Sequence, residues 1–224
     1  MGGNNAEVLK AQVADTARSM AAAGLLEAFG HVSARIAGGF LITSTKPLFE
    51  ATEADVITVE DGEPVEGPVE AVPLEMPMHA AIYRARPDVG AICRGHPPYA
   101  VVWGVTAEPL PLWHGLGGMA GRVVPSHPDI ELVKSDGAAR SVADSLGEHS
   151  ALLLAANGCL AVGEDLSEAF TRLWYLEERA RVAVQVRMAG LTPTRVRSNV
   201  WDRRLQDSAP ELVRARQWTQ RSFG

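Results

Sequence analysis

The run from Glu75 to Tyr99 constrains the fold most, because it sets a helix, a buried strand and a second helix start in close succession. Residues 75–86 carry helical periodicity that stops before Pro87, whose ring disfavours a helical residue ahead of it. V-G-A-I-C-R (residues 89–94) then reads as a short apolar strand. Pro97-Pro98 opens the next element, since proline suits a first helical turn. Glu75 and His79 are four apart, a spacing that projects both from one helix face.

The rest of the chain repeats this alternation. Apolar residues Val8, Leu9, Val13, Ala17 and Met20 predict a helix over residues 6–23, with Gly24 as its stop. H-V-S-A-R-I-A and F-L-I-T-S-T flank Gly38-Gly39 as a β-hairpin, and a second hairpin is expected around Asp61-Gly62. Residues 129–146 read as a helix despite Gly137, A-L-L-L-A (151–155) as a buried strand, and 166–188 as a long amphipathic helix. Strands alternating with helices give an α/β protein, one mixed sheet between helical layers. No Ser/Gly-rich linker or charge block divides the chain, so residues 1–224 form a single domain.

Charge narrows the partners. A formal net charge of −6 argues against nucleic acid, which rewards clustered Lys and Arg. The arginines of the tail (Arg203, Arg204, Arg214, Arg216, Arg221) are interleaved with acids and read as a solvated helix face. No apolar run approaches the roughly 20 residues a membrane span needs, so no membrane partner is expected. Only Cys93 and Cys159 are present, and the start MGGNNAEVLK lacks a charged-then-apolar signal pattern. A cytoplasmic protein with reduced, buried thiols is the expectation.

The run L-E-M-P-M-H-A-A-I-Y-R-A-R-P-D-V-G-A-I-C-R-G-H-P-P-Y-A resembles the central signature of the class II aldolase/adducin family. That signature has an acidic residue at a helix start, then Y-R-x-R-P-D-V, then a strand ending in H-x-H-P. Three further pieces fall in the same order: G-H-V-S-A-R for G-N-x-S-x-R, I-T-S-T-K-P for a threonine-rich turn, and L-L-L-A-A-N-G-C-L-A-V-G for L-x-N-H-G. The resemblance covers about residues 6–190 and leaves a helical tail of about 191–224. It implies a class II aldolase-like, three-layer αβα domain whose central mixed sheet is largely antiparallel. It also implies a homotetramer with active sites at subunit interfaces, to which Trp201 and Trp218 of the tail contribute.

Such a family cleaves carbon–carbon bonds by drawing the electrons left behind onto oxygen, with a divalent metal as Lewis acid. By resemblance Glu75 is the residue that moves the proton. The metal ligands would be both histidines of H-x-H and the histidine of N-H-G. Here those positions hold Arg94, His96 and Asn157, so His96 is the only retained ligand. A guanidinium offers no lone pair, and one histidine alone makes no zinc site. No metal and no other cofactor is therefore expected. A relocated site built from Glu75, His31 and His96 is the alternative.

Two readings of Arg94 stand. By strand alternation it points, like His96, into the cavity, where it binds a substrate carboxylate or oxyanion. Otherwise it forms a structural salt bridge with Glu75. The catalytic candidates are thus Glu75, Arg94 and His96, and the substrate-binding candidates His31, Ser33, Thr43, Ser44 and Asn157. Pro73-Leu74 stands where the sugar-phosphate enzymes have adjacent serines, which argues against a phosphorylated substrate. V-V-P-S-H-P-D-I-E-L-V and W-Y-L-E-E-R-A resemble the branch that decarboxylates hydroxylated aromatic carboxylates. Trp103, Leu112, Trp113 and Met119 are candidates for a flat apolar pocket, and equally for core. A lyase acting on a small carboxylate through an enolate or carbanion leads. An isomerase, cyclase or dehydratase on the same fold and a non-catalytic adducin-like binding protein are the rivals.

Overall fold

The computed structural model describes residues 3–106, 108–206 and 208–224. The strands are β1 (His31–Ile36), β2 (Gly39–Thr43), β3 (Val56–Glu60), β4 (Glu63–Glu66), β5 (Ala91–Gly95), β6 (Ser126–His127), β7 (Ala151–Leu154) and β8 (Cys159–Gly163). They form one eight-stranded sheet in the order β4-β3-β2-β1-β5-β8-β7-β6. Only the β6–β7 pair is parallel, so the sheet is mixed and largely antiparallel, as expected. The helices are α1 (Gly3–Ala22), α2 (Met76–Ala85), α3 (Pro98–Gly104), α4 (Asp136–Leu146), α5 (Leu166–Met188), α6 (Ser198–Gln206) and α7 (Ala209–Phe223).

Two cores sandwich the sheet. Val13 and Met20 of α1 and Leu173 and Leu176 of α5 pack on Val32, Cys93, Leu153 and Ala161. Met78 and Ile82 of α2 and Val142 and Leu146 of α4 pack on Ile42, Ile57, Ile92 and Leu160. Each such aliphatic side chain contributes about 1.5–3 kcal/mol on burial. Alternation along the strands then decides where the polar residues go. Val32 and Cys93 face α1 and α5, so His31, Ser33 and Arg94 face the α2–α4 layer. His31 and Arg94 are direct cross-strand partners, which holds their side chains side by side. Cys93 and Cys159 are buried free thiols.

Three expectations need correction. The helix read over 129–146 begins only at Asp136, because Ser135 caps it by accepting a bond from the Ala138 amide at 3.3 Å. Glu75 is the N-cap of α2 and not a member of it, so it does not share a helical face with His79. The arginine-bearing tail is not simply solvated. In α7, Thr219 is fully buried and bonds Thr171 of α5 at 2.9 Å, Trp218 lies 5.4 Å from Trp174, and Arg216 pairs with Asp165.

Candidate active site

The ends of β1 and β5, the turn after β7, the loop after β2 and the N-terminus of α2 enclose a cavity of about 470 Å³. Arg94 lies at its floor, 2% exposed. Its Nη2 forms an ion pair with Glu75 Oε2 at 2.9 Å and donates to the Asn157 carbonyl at 3.1 Å. Its Nη1 lies 2.5 Å from His96 Nε2 and 2.9 Å from Nδ1. Glu75, 5% exposed, makes no capping bond to its own helix; its other oxygen accepts from the Val133 amide at 3.4 Å. The carboxylate has thus left the helix N-terminus, where its charge is favourable, for a buried cation that compensates it more closely.

His96 resolves the electrostatics. Its Nδ1 lies 3.1 Å from the Phe29 carbonyl, an acceptor, so Nδ1 carries the hydrogen. Nε2 is then the lone pair, and Arg94 Nη1 donates into it. Burial, reinforced by the Arg94 charge, holds the His96 pKa below the usual histidine range. The turn that supplies Asn157 is tight: Ala156 has φ +51° and Gly158 φ +87°. A Cβ at Gly158 would stand 2.3 Å from the Gly95 carbonyl and 2.9 Å from the His96 ring. Only glycine lets this turn close on the end of β5.

A metal does not fit this donor set. The one imidazole lone pair at the ligand position faces a guanidinium, and Arg94 and Asn157 stand where further imidazoles would be needed. Among the described residues no three His, Cys, Asp or Glu side chains converge as a metal-ion set, so Glu75, His31 and His96 do not form the relocated site.

The cavity gathers Glu75, Arg94, His96, His31, Ser44 and Asn157 from distant parts of the sequence. Ser33 and Thr43 stay outside it. Ser33 is fully buried and binds His79 and Tyr83, and the Thr43 hydroxyl accepts from the Val32 amide at 3.1 Å. Trp103, Leu112 and Met119 are buried in the protein and Trp113 packs against the α1–α5 core, so none of them forms the apolar wall. That wall comes instead from Phe29, Pro73, Leu74 and Leu132, none of which the sequence singles out as pocket residues. Lys46, paired with Asp55 at 2.5 Å, lines the mouth as well, and its sequence signal is a cation directly after the T-S-T run. Cys159 belongs to the α1–α5 core and does not line the cavity.

Below the cavity His79 is fully buried, and burial followed by the Arg94 charge pushes its pKa down to about 3. The unfolded chain therefore binds a proton at this residue that the folded chain refuses between about pH 6.5 and 3. Stability is expected to fall with acid across that window, by up to ~1.4 kcal/mol per pH unit from this group. Urea midpoints measured from pH 7 to 4 check it, with a flatter dependence expected for His79→Met. An unchanged slope in that variant would contradict the assignment.

Comparison with known proteins agrees with this architecture. Residues 11–184 match the family described as Class II Aldolase and Adducin N-terminal domain. A 3,4-dihydroxyphthalate decarboxylase of Terrabacter sp. (strain DBF63) is 30% identical over 193 residues, covering 80% of this chain and 81% of that protein. An L-fuculose phosphate aldolase of Haemophilus influenzae is 29% identical over 177 residues, covering 78% and 80%. Among solved structures an L-fuculose 1-phosphate aldolase superposes with a TM-score of 0.82 at 26% identity, covering 89% of this chain and 95% of that one.

Proposed function

The chain belongs to the class II aldolase and adducin family, and from that membership we propose that it is a carbon–carbon lyase that works without the family's metal on a small, non-phosphorylated carboxylate. The observation that carries this is the placement of Arg94, Glu75 and His96 on one open cavity. An ion pair kept only for stability has no need of such a cavity, and a binding module that has abandoned chemistry has no need of all three groups.

The relatives named for decarboxylation and for aldol cleavage share a need: an electron pair released on breaking a carbon–carbon bond must reach an oxygen. In the decarboxylation we favour, the bond to the carboxylate carbon breaks, carbon dioxide leaves, and the electron pair delocalises onto a carbonyl or phenolic oxygen. Arg94 supplies the positive charge facing that oxygen, through the Nη1 hydrogen not given to His96. His96, with its own hydrogen on the Phe29 carbonyl, positions the guanidinium. Glu75 moves the proton that replaces carbon dioxide on carbon. A monocation polarises less than a dication, so the substrate must itself delocalise the charge, which a hydroxylated aromatic ring does.

Substrate class follows from the walls. Pro73 and Leu74 offer no hydroxyl for a phosphate, and with Phe29 and Leu132 they supply apolar surface for a flat ring. Lys46, Ser44 and Thr45 supply donors for a carboxylate at the mouth. Protein stripped with a chelator and incubated with hydroxylated aromatic carboxylates is expected to release carbon dioxide at the untreated rate. Loss of that activity on chelation, restored by zinc, would end the metal-free reading.

The rim carries exposed apolar side chains: Phe29 at 74%, Leu74 at 66% and Leu132 at 49%. We propose that a neighbouring copy covers them in a homotetramer with the cavities at subunit boundaries. Light scattering on the purified protein is expected to give a tetramer, and a Phe29→Asp variant a smaller species. A monomeric wild type would refute the assembly.

A further inference from the structure

Among the described residues four buried side-chain polar atoms lack a hydrogen-bond partner, and three of them, His31 Nδ1, His79 Nε2 and Arg94 Nε, rise from one patch. His31 and Arg94 are cross-strand partners, and the His31 and His79 rings stand edge to face with centroids 5.6 Å apart. Buried polar atoms in folded proteins are almost always satisfied, so three together mark a place built to hold something.

Hydrogen-bond bookkeeping says what. Tyr83 Oη lies 2.8 Å from Ser33 Oγ, which lies 2.7 Å from His79 Nδ1. If His79 donated from Nδ1 to Ser33, Ser33 would donate to Tyr83 and the buried phenol hydrogen would have no acceptor. The opposite direction places every hydrogen within the chain of three groups: Tyr83 donates to Ser33 and Ser33 donates to His79 Nδ1, which leaves only the His79 Nε2 hydrogen to be taken up at the patch. His79 therefore carries its hydrogen on Nε2. The patch then presents two donors, His79 Nε2–H and Arg94 Nε–H, beside a His31 Nδ1 that takes either role.

We propose that these three atoms bind one buried water that accepts from His79 and Arg94 and donates to His31 Nδ1, so that His79 is a positioning residue holding His31 with its hydrogen on Nε2. A water making three such bonds to otherwise unsatisfied groups is the usual form of buried solvent. An acceptor-only oxygen, such as a carboxylate's, would instead require the hydrogen on His31 Nδ1. His31 lines the cavity and is half-buried, with Nδ1 withdrawn from solvent. Burial, then the neighbouring His79, Arg94 and His96, hold its pKa well below the usual histidine range, so it stays neutral. The consequence is a fixed N–H donor at the cavity wall, suited to an anionic or carbonyl oxygen of the substrate and placed next to the Arg94 charge. That specificity role rests on the lyase reading of the cavity; the tautomer relay does not.

Nitrogen NMR of the full chain with ¹⁵N-labelled histidine, recorded near pH 7 without substrate, tests the relay. His31 and His79 are both expected as neutral Nε2–H tautomers. Ser33→Ala is expected to release His79 into a tautomer mixture, and His79→Phe to release His31, while His79→Gln, whose amide restores a donor, keeps His31 on Nε2–H. Ser33→Ala removes a single oxygen, so it keeps the test open if His79→Phe fails to fold. A proton on His31 Nδ1 in the wild type, or a His31 signal indifferent to both the Ser33 and His79 changes, overturns the proposal. No turnover is measured, so that failure would leave the lyase reading standing, and an inactive protein would leave the tautomers as assigned.

Discussion

Glu75→Gln is expected to lower turnover roughly 10²–10⁴-fold while the protein stays folded, the loss typical of removing a positioned acid–base group. The amide has the volume of the carboxylate and keeps an oxygen that can accept from Arg94 Nη2 and from the Val133 amide. What it loses is the ability to take up and release a proton. The structural cost is that of weakening one charge-assisted bond, about 1.5–3 kcal/mol. Arg94 retains the Asn157 carbonyl and the His96 lone pair. Steady-state rates beside a thermal melt separate the two effects. Undiminished turnover in the folded variant would remove Glu75 from the reaction.

Arg94→Met carries the largest stability effect. It leaves the Glu75 carboxylate 5% exposed and without its cation, and removing one partner of a buried pair costs about 3–5 kcal/mol. In a chain of this length each kcal/mol moves the melting temperature by about 2–4 °C, so a drop of roughly 6–20 °C is expected. The double variant Glu75→Gln/Arg94→Met should recover part of that loss, because no charge is then stranded; a double-mutant cycle measures the coupling. Arg94→Lys keeps the charge but not the fork, which binds Glu75, Asn157 and His96 simultaneously, and should remain poorly active. An Arg94→Met protein as stable as the wild type would show that Glu75 does not depend on this cation.

The two readings of Arg94 open in the sequence, substrate-facing cation and salt-bridge partner, are not exclusive in the fold. Nη2 donates to the Asn157 carbonyl and is ion-paired with Glu75, so this arm of the fork is already engaged within the protein. A carboxylate near the mouth has Lys46, Ser44 and Thr45 instead. This division separates the group that stabilises developing charge from the groups that hold the substrate.

Local periodicity was enough for the helix–strand–helix unit around Arg94, the Gly38-Gly39 hairpin and the long α5, because side-chain spacing and the backbone limits of proline and glycine act over a few residues. That Arg94 and Asn157 stand at positions of imidazoles was implied by the resemblance to the family's motifs and not by periodicity. Depth along a strand was beyond it. His31 and Ser33 share one face of β1, yet at about 3.3 Å per residue Ser33 sits about 7 Å further from the cavity, under Tyr83 and His79. Period alone likewise could not place the start of α4, where the Ser135 cap interrupts an otherwise helical pattern. The choice of Glu75 between its helix terminus and Arg94 was a contest between a local dipole and a charge nineteen residues away in sequence. Such contests depend on which groups lose water together, and only the packed chain determines that.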